Sequence, residues 1–274
     1  MQSWRLIRTA PHSGAWNMAV DEALLETVAA GTSPPVLRLY RWRPAAVSLG
    51  YGQRGARQIN LEACRRHGVD VVRRITGGRA VLHDRELTYA VVAPERGGVF
   101  PGGILDNYRV ISGPLLALYS ALGIDGRLVP GKTRGVSGSL GAGICFAAPS
   151  SYEILCDERK LTGGAQKRQD GAFLQHGSIP LDLDLELLWE LLNPEGAADR
   201  AEGLAHLERT VGWVNRRHHP PLDIDSLETR FVQVFAECLG VHLVAAEPTD
   251  DEMRRAEELI RTRYAREDWT LHGR

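Results

Sequence analysis

The stretch from Val71 to Val92, VVRRITGGRAVLHDRELTYAVV, constrains the fold of this chain more than any other. Two apolar runs, Val69–Arg74 and Thr88–Ala93, have the composition of β-strands and flank a polar loop. The segment holds Arg73, Arg74, the glycine pair Gly77-Gly78, Arg79 and the pair His83-Asp84. Paired glycines let the backbone approach a ligand closely, and neighbouring arginines suit a carboxylate, a phosphate or a polarised carbonyl. The stretch predicts a strand–loop–strand binding unit, with a plain hairpin carrying solvated arginines as the alternative.

The composition is that of a globular protein without bulk charge. The chain has 274 residues, of which 43 % are hydrophobic and 24 % are charged, and its formal net charge is −1. This balance gives no electrostatic reason to bind nucleic acid or an anionic membrane. No apolar run approaches the roughly 20 residues of a membrane span, and the N-terminus lacks the apolar segment of a secretion signal. We therefore expect a cytoplasmic protein that binds neither nucleic acid nor membrane.

Four widely spaced cysteines, Cys64, Cys145, Cys156 and Cys238, form no CxxC pair. This spacing argues against a zinc site and a disulfide framework, and neither a metal nor another cofactor is expected. In a reducing cytosol these residues are free thiols. Cys145 follows a glycine-rich loop, where a thiol can be partly exposed, as a nucleophile must be. The alternative for Cys145 is a buried structural thiol.

Helix and strand patterns alternate along the chain without a repeated βαβ unit. Helices are predicted at Ser13–Ala29, Asn60–His67, Leu105–Leu122, Asp184–Leu192 and Asp225–Leu239, and after the capping box Thr249-x-x-Glu252. Further strands are predicted at Trp4–Arg8, Val36–Tyr40, Ala46–Tyr51, Ser151–Cys156, Lys160–Gln166, Ala172–Leu181 and Val241–Ala245. We make no prediction for Glu195–His219. This order favours an α+β domain with a mostly antiparallel or mixed sheet.

Lys160 and His176 lie on predicted strands that follow the glycine-rich loop, and both are candidate site residues. One strand and a tight turn separate Lys160 from Cys145, so a hairpin can bring the ammonium group beside the loop. There it would lower the pKa of the thiol and stabilise an oxyanion. The Gly163-Gly164 pair again allows close backbone approach. Taken alone, a turn lysine is usually solvated, and a strand histidine is more often a core or surface residue.

Residues Gly126–Thr133, GRLVPGKT, satisfy the P-loop pattern. That motif needs a buried strand before the loop and a helix after it, whose N-terminus faces the phosphates. Here the preceding run has a helical pattern, and the following RGVSGSLGAG is unsuited to starting a helix. A nucleotide-binding module is therefore a disfavoured alternative from a different functional class.

Several motifs together resemble the lipoate–protein ligase and octanoyltransferase superfamily, which shares a catalytic domain with biotin protein ligases. The resemblance rests on RRITGGRAVLHDRELTYAVV, WNMAVDEALL, ERKLTGGAQKRQ and LQHGSIPL. GICFAAPSSYEI resembles the cysteine-dependent octanoyltransferase branch known from bacilli. Arg79 stands where the ligases have a third glycine, which fits the transferase branch. The similarity extends over nearly the whole chain, to Trp269.

This resemblance implies a biotin/lipoate protein ligase-like domain with a larger and a smaller mostly antiparallel sheet flanked by helices. One catalytic domain would span residues 1–274, with a core at about 32–243 and a C-terminal helix at 249–266 packed on it. The enzyme would transfer octanoyl from octanoyl-acyl carrier protein to a lysine of a lipoyl domain. The expected acceptor is the glycine cleavage H protein.

The resemblance also implies roles for individual residues. Cys145 would carry an acyl-thioester intermediate, and Lys160 would lower the pKa of its thiol. Residues implied to line the acyl pocket are Arg73, Thr76, Gly77, Gly78, Arg79, His83 and His176. We further hypothesise that the backbones of the two glycine pairs, Gly77-Gly78 and Gly163-Gly164, hold the acyl carbonyl. The acceptor lysine must lose a proton to attack, and the sequence names no base for that step.

Two alternatives lie within the same superfamily. An ATP-dependent lipoate–protein ligase shares the fold and the loop, but Cys145 and the lack of room for an accessory C-terminal segment count against it. An amidotransferase that moves octanoyl between lipoyl domains would also use a cysteine. We further expect residues 131–143 to become ordered when a carrier protein docks, because their composition gives them little to pack with.

Overall fold

The computed structural model describes residues 1–53, 58–129, 153–193 and 199–273. Its strands are β1 (Gln2–Arg8), β2 (Val36–Tyr40), β3 (Ala46–Leu49), β4 (Asp70–Arg73), β5 (Val81–His83), β6 (Glu86–Pro94), β7 (Arg127–Val129), β8 (Glu153–Cys156), β9 (Arg159–Gln169), β10 (Ala172–Pro180) and β11 (Val241–Ala246). Its α-helices are α1 (Gly14–Ala29), α2 (Leu61–His67), α3 (Ile104–Ala121), α4 (Leu185–Leu192), α5 (Arg200–Thr210), α6 (Ile224–Leu239) and α7 (Asp250–Leu259). A 3₁₀ turn lies at Val214–Arg216, and π-helical turns lie at Ile260–Tyr264 and Asp268–His272.

The described strands form two sheets. The larger sheet has eight strands in the order β11-β1-β2-β6-β10-β9-β8-β7. Its β11–β1 and β1–β2 pairs are parallel, and the pairs from β2 onward are antiparallel. The smaller sheet has the order β4-β3-β5, with β3 parallel to β4 and antiparallel to β5. The predicted mixed, mostly antiparallel architecture with a larger and a smaller sheet is confirmed.

Helix boundaries follow local capping signals. The Ser13 side chain accepts a hydrogen bond from the backbone N–H of Trp16 at the start of α1. Thr249 and Glu252 form the predicted capping box of α7, and Gly240 ends α6 in a left-handed conformation. These groups satisfy backbone donors and acceptors that a helix end otherwise leaves unpaired. Such signals act within a few residues, which is why the sequence predicts these boundaries correctly.

Helices cover both faces of the larger sheet. Helices α1 and α7 pack together on one face, and α3 and α6 pack on the other. Because successive strand residues point to opposite faces, β2 directs Leu37 and Leu39 toward α3 and α6 and directs Val36 and Tyr40 toward α1. Arg38 lies in phase with Val36 and Tyr40. Its charged side chain is therefore directed into the core beneath α1, where it is fully buried.

The segment around the first glycine pair is not a hairpin. The strand before it, β4, pairs with β3 in the smaller sheet, whereas β6 after it pairs with β2 and β10 in the larger sheet. Helix α2 supplies the crossover that a parallel β3–β4 pair requires. An additional short strand, β5, follows the glycines and pairs with β3. The glycine-rich loop therefore belongs to a connection between two sheets.

Two further stretches were left without a firm prediction by the sequence. Helix α5, capped by Asp199, occupies part of the region for which no prediction was made. In the P-loop-like motif, Arg127–Val129 forms a strand paired with β8, where a P-loop would wrap around phosphates. Residues 130–133 of that motif, Cys145 and the loop 131–143 lie outside the described residues. No helix in the described ranges is both long and apolar enough to cross a membrane.

Candidate active site

A cavity lies between the smaller and the larger sheet. It encloses about 840 Å³, including its open side. Its apolar lining comes from Met18, Tyr40, Trp42, Ala80, Val81 and Ala165. Its polar lining comes from Ser48, Arg74, Arg79, His83, Thr88, Glu153, Lys160, His176 and Ser178, and its exposed backbone from Gly78, Gly163, Gly164 and Gly177. Such a cavity combines apolar surface for an aliphatic chain with polar groups for a reactive head.

His176 belongs to a buried network beneath α1. Its Nδ1 lies 2.9 Å from the carboxylate of Asp21, and its Nε2 lies 2.7 Å from the hydroxyl of Thr76. Asp21 also accepts hydrogen bonds from the Arg38 guanidinium at 2.6 Å and from the Tyr40 hydroxyl at 2.9 Å. Both members of the Arg38–Asp21 ion pair are shielded from water. The network fixes the imidazole at the cavity wall.

Charges in this network are balanced within it. Burial alone would raise the pKa of Asp21, but Arg38 and His176 outweigh burial and hold that pKa below its ordinary value. Burial, together with the Arg74 and His83 charges, holds the pKa of His176 below its ordinary value, although the Asp21 carboxylate raises it. Burial and the Asp21 charge raise the pKa of Tyr40 far above its ordinary value, so the phenol stays protonated. The network thus holds one ionised pair and a neutral imidazole.

His83 belongs to a second network on the same cavity. Its Nε2 lies 2.8 Å from the hydroxyl of Ser48, and its Nδ1 lies 2.8 Å from the carboxylate of Glu86. Glu86 also accepts hydrogen bonds from the hydroxyls of Thr88, at 2.5 Å, and Ser178. Burial alone would raise the pKa of Glu86, but His83 and the two hydroxyls hold it below its ordinary value. Glu86 is therefore a buried carboxylate in its ionised form.

Arg74 connects the glycine-rich loop to β3. Its Nη2 donates to the carbonyl oxygens of Gly77 at 2.8 Å and Arg79 at 2.6 Å. Its Nη1 donates to the carbonyl oxygen and the hydroxyl of Ser48, at 2.8 and 2.9 Å. Gly78 has a φ of +89°, which favours glycine, and a Cβ there would lie 2.9 Å from Arg74 Nη2. The loop geometry therefore depends on both residues.

Lys160 and Glu153 form an ion pair on the cavity wall. The Lys160 Nζ donates to Glu153 Oε1 at 2.5 Å, and the two side chains are 12 % and 3 % exposed. Lys160 crosses directly over Gly163, because a Cβ on that glycine would lie 2.9 Å from Lys160 Cε. The structure brings Lys160 together with Gly163 and Gly164 on the cavity. Its predicted partner Cys145 lies outside the described residues.

Arg73 does not lie on the cavity formed by the described residues, although the resemblance placed it in the acyl pocket. Its buried guanidinium donates to the carbonyl oxygens of Gly50, Tyr51, Trp269, Thr270 and Leu271. The indole N–H of Trp269 donates back to the Arg73 carbonyl oxygen at 3.0 Å. Successive residues of an extended strand point to opposite sides, so Arg74 faces the cavity and Arg73 binds the C-terminal segment.

Thr76 and Gly77 are not part of the cavity lining formed by the described residues, but each is hydrogen-bonded to a side chain that is. Thr76 is buried and contacts the cavity wall through its hydrogen bond to His176. Gly77 is held by Arg74 through its carbonyl oxygen. Of the loop residues assigned to the acyl pocket, Gly78 and Arg79 therefore lie directly on the cavity. That any of these residues binds an acyl group stays a prediction.

We expect Arg73→Met to lower the free energy of unfolding by about 2–4 kcal/mol, because buried carbonyl oxygens lose their donors. The C-terminal turns around Trp269 should also become more sensitive to protease than in wild type. Urea-induced unfolding and limited proteolysis near Arg266 measure the two effects. Arg254→Met is the matched control, because Arg254 forms an exposed ion pair with Asp251 and should cost little. Equal stability of Arg73→Met and wild type would contradict the assigned role.

Sequence reasoning missed eight side chains of these networks: Asp21, Arg38, Tyr40, Ser48, Glu86, Thr88, Glu153 and Ser178. One local signal could have revealed Arg38, since it shares the buried face of its strand with Val36 and Tyr40. A charged residue on a buried face requires a partner. Asp21 and Ser48 carry no comparable signal, because His176 and His83 are distant from them in sequence. Glu86 and Glu153 lie only three and seven residues from His83 and Lys160, but this spacing does not by itself predict a contact.

The arrangement suits chemistry at a carbonyl carbon. The Lys160 ammonium and the adjacent glycine backbone can bind a carbonyl oxygen that develops negative charge. Two imidazoles, each held by a carboxylate, can move protons nearby. In the described parts of the chain, no group of histidines, cysteines and carboxylates has the geometry of a metal site.

Comparisons with known proteins agree with this geometry. The family model of the lipoyl protein ligase A/B catalytic domain matches residues 13–236. Octanoyltransferase LipM of Brevibacillus brevis is 40 % identical over 274 residues, which are 99 % of both chains. Octanoyltransferase LipM of Bacillus subtilis is 37 % identical over 271 residues, which are 98 % of both chains. A T. acidophilum protein assigned as a lipoate protein ligase, solved with bound lipoic acid, has a TM-score of 0.79, 26 % identity and 99 % coverage of both chains. The ligase-like fold predicted from the sequence is thus confirmed.

Proposed function

The chain belongs to the lipoyl protein ligase A/B catalytic domain family, in its octanoyltransferase branch, and we propose that it transfers octanoyl from octanoyl-acyl carrier protein to a lysine of a lipoyl domain. This transfer is a step of protein lipoylation, and the glycine cleavage H protein is the proposed acceptor. The cavity carries the proposal, because Lys160 and the Gly163-Gly164 backbone lie beside apolar side chains. We also propose that residues 1–274 form one catalytic domain.

The first half-reaction forms an acyl-enzyme on Cys145. The cysteine thiolate attacks the thioester carbonyl of the donor, a new C–S bond forms, and the carrier thiolate leaves. Lys160 supports this step, because a cation near the sulfur favours the thiolate over the thiol. Its ion pair with Glu153 holds the ammonium in place at the cavity wall. Exchange of one thioester for another is close to energy balance, so no ATP is required.

The second half-reaction moves the acyl group to nitrogen. The neutral amine of the acceptor lysine attacks the acyl-enzyme, and the product amide is far more stable than the thioester. Division of the transfer into two steps is the advantage of covalent catalysis. In this proposal Gly78, Gly163 and Gly164 hold the acyl carbonyl with their backbone, while apolar side chains such as Met18 and Val81 hold the octanoyl chain.

The test is a transfer assay without ATP. The protein is mixed with octanoyl-acyl carrier protein and unmodified glycine cleavage H protein, and intact mass measures octanoylation of the acceptor. We expect octanoylated acceptor without ATP and initial-rate patterns of a ping-pong reaction. Modification that requires ATP and free lipoate would instead support the ligase alternative. Octanoyl transfer only from an octanoylated lipoyl domain would support the amidotransferase. Strictly intersecting initial-rate lines would contradict the acyl-enzyme.

A further inference from the structure

The second half-reaction needs a group that removes a proton from the acceptor lysine, which is an ammonium ion at neutral pH. We propose that Ser48 and His83 form a proton relay that accepts this proton, with Glu86 as the positioning residue. This inference rests on the proposed function, because it concerns the discharge of an acyl-enzyme onto an amine. Ser48 is the member that contacts the amine, and His83 acts through it.

The geometry of the relay is already in place. Ser48 lies on the cavity, and its hydroxyl is 2.8 Å from Nε2 of His83. The Glu86 carboxylate is 2.8 Å from the other ring nitrogen of His83. An ionised carboxylate can only accept a hydrogen bond, so Nδ1 of His83 carries the hydrogen and donates it to Glu86. Nε2 is then free to accept a hydrogen bond from the Ser48 hydroxyl. Trp42 stacks on the imidazole, with ring centroids 4.1 Å apart and an interplanar angle of 13°, and limits its rotation.

Arg74 completes the orientation of Ser48. Its Nη1 donates to the Ser48 hydroxyl oxygen at 2.9 Å, and it therefore occupies one of the two lone pairs of that oxygen. The hydroxyl hydrogen is directed at His83, which leaves the second lone pair to accept a hydrogen from a substrate amine in the cavity. The guanidinium also stabilises negative charge on the Ser48 oxygen during the transfer.

Charge distribution favours the His83 network over the His176 network. Asp21, the carboxylate bound to His176, already has the Arg38 guanidinium as its counter-charge. The hydrogen-bond donors to Glu86 among the described residues are His83 and two hydroxyls, so the imidazole is the partner that can become cationic. A protonated His83 would therefore gain a buried ion pair. Other charged or titratable groups near the relay are Arg74, Asp84, Tyr40 and His176.

Lys160 is less suited to this step. Its proposed role in the first half-reaction requires the ammonium form, whose Nζ donates to Glu153 at 2.5 Å. An ammonium group has no lone pair with which to accept a proton. The same residue cannot be held as a cation to support the thiolate and also be the resting proton acceptor for the amine.

One ammonium proton of the acceptor lysine moves to the Ser48 oxygen as the Ser48 proton moves to His83 Nε2. The neutral amine attacks the thioester, the C–N bond forms and the C–S bond breaks. The second proton, which is lost from nitrogen as the amide forms, protonates the departing thiolate. His83 then returns its proton to solvent, and the relay is reset.

The experiment separates the two half-reactions. Wild type, His83→Gln, Ser48→Ala and Glu86→Gln are first acylated with octanoyl-acyl carrier protein, and intact mass follows adduct formation. Each acyl-enzyme is then mixed either with unmodified lipoyl domain or with hydroxylamine. Hydroxylamine is largely uncharged at neutral pH and needs no base before it attacks. His242→Gln is the matched control, because His242 is exposed on the edge strand β11.

We expect the control His242→Gln to form the acyl-enzyme and to react with hydroxylamine at the wild-type rate, and we compare the other variants by the ratio of discharge onto the lipoyl domain to discharge by hydroxylamine. Discharge onto the lipoyl domain should be about 100-fold slower in His83→Gln and in Ser48→Ala, which is an ordinary contribution of general base catalysis. In these variants the discharge rate should rise nearly tenfold per pH unit between about pH 7 and 9. Only amine already deprotonated by solvent can then react, and the ordinary lysine pKa is ~10.4. Wild type should depend less steeply on pH.

Other outcomes have distinct meanings. If the variants discharge onto the lipoyl domain at the wild-type rate, or lose acylation and hydroxylamine discharge equally, the relay is rejected. The second result would assign His83 and Ser48 a purely structural role. If wild type itself forms no adduct, the proposed function fails and the relay fails with it. Ser48→Ala retains the imidazole, so it still tests the relay if His83→Gln does not fold.

Discussion

The Cys145→Ala variant is expected to form no octanoyl adduct and to transfer octanoyl at least about 10⁴-fold more slowly than wild type, because removal of a nucleophile blocks both halves of covalent catalysis. Without the thiolate, the donor carbonyl has no group to which the acyl chain can be transferred first. Direct attack by the acceptor amine would require both carrier proteins at the cavity at once. Intact mass after incubation with octanoyl-acyl carrier protein measures the adduct, and acceptor mass measures transfer.

The other cysteines make this prediction specific. Cys64 is buried, and burial raises the pKa of its thiol to about 11. Cys156 is buried in the core that α3 and α6 cover. Cys238 is exposed, but partial burial and the neighbouring Glu237 raise its pKa. A thiol acts as a nucleophile in its ionised form, so neither Cys64 nor Cys238 is suited to replace Cys145.

Cys238→Ala is the matched control, since it removes the exposed thiol and should retain both the adduct and full transfer. Digestion of the wild-type adduct locates the modified residue by mass. An adduct that persists in Cys145→Ala, on another cysteine or on a serine, would reject Cys145 as the acyl carrier. A wild type without adduct that still octanoylates its acceptor would reject the two-step transfer itself.

The Arg38→Met variant should lose about 3–5 kcal/mol of unfolding free energy, the cost of leaving a buried carboxylate without its partner. Arg38 and Asp21 are 0 % and 1 % exposed, and the guanidinium lies over the Tyr40 ring at 3.9 Å from its centroid. Met replaces much of the aliphatic volume but supplies no charge. Asp21 then retains the Tyr40 hydroxyl and His176 as hydrogen-bond donors. Urea-induced unfolding at neutral pH measures the loss.

Two controls separate charge from packing. Asp21→Asn combined with Arg38→Met removes both charges, and the double variant should be more stable than Arg38→Met alone. Arg41→Met removes a nearby ion pair with Asp225 and Glu228 that is partly exposed, and it should cost less than about 1 kcal/mol. A double variant less stable than Arg38→Met would show that packing or hydrogen bonding, and not the unpaired charge, dominates.

The loss of unfolding free energy caused by Arg38→Met should depend on pH and be smaller in acid. In wild type the folded-state pKa values of Asp21 and His176 lie below their ordinary values. The unfolded chain therefore binds more protons than the folded one as pH falls below the ordinary histidine range, so this network contributes less stability in acid. In Arg38→Met, a proton on the Asp21–His176 pair replaces the missing positive charge. The stability difference between wild type and Arg38→Met should therefore be smaller at pH 5.5 than at pH 8.

In the glycine-rich loop, the sequence predicted some of the residues on the cavity but not the direction of every side chain. Paired glycines and arginines indicated a binding loop, and Gly78, Arg79 and His83 do lie on the cavity. Arg73, which the resemblance assigned to the same pocket, does not line the cavity formed by the described residues, and its role there stays a prediction. Whether an arginine at the end of a strand faces the cavity or the opposite side depends on the register of β4 against β3. A shift of one residue exchanges the two faces, and the local sequence contains nothing that sets this register.

Local patterns were sufficient for the helix ends, the strand alternation and the close-approach glycines, because each depends on atoms within a few residues of one another. The site networks required the assembled sheets. Asp21 and His176 are 155 positions apart, and Arg73 and Trp269 are 196 positions apart. A buried charge must find its partner wherever packing brings one within hydrogen-bond distance. Which residues meet at the cavity was therefore decided by the packing of the two sheets and α1, and not by any single segment.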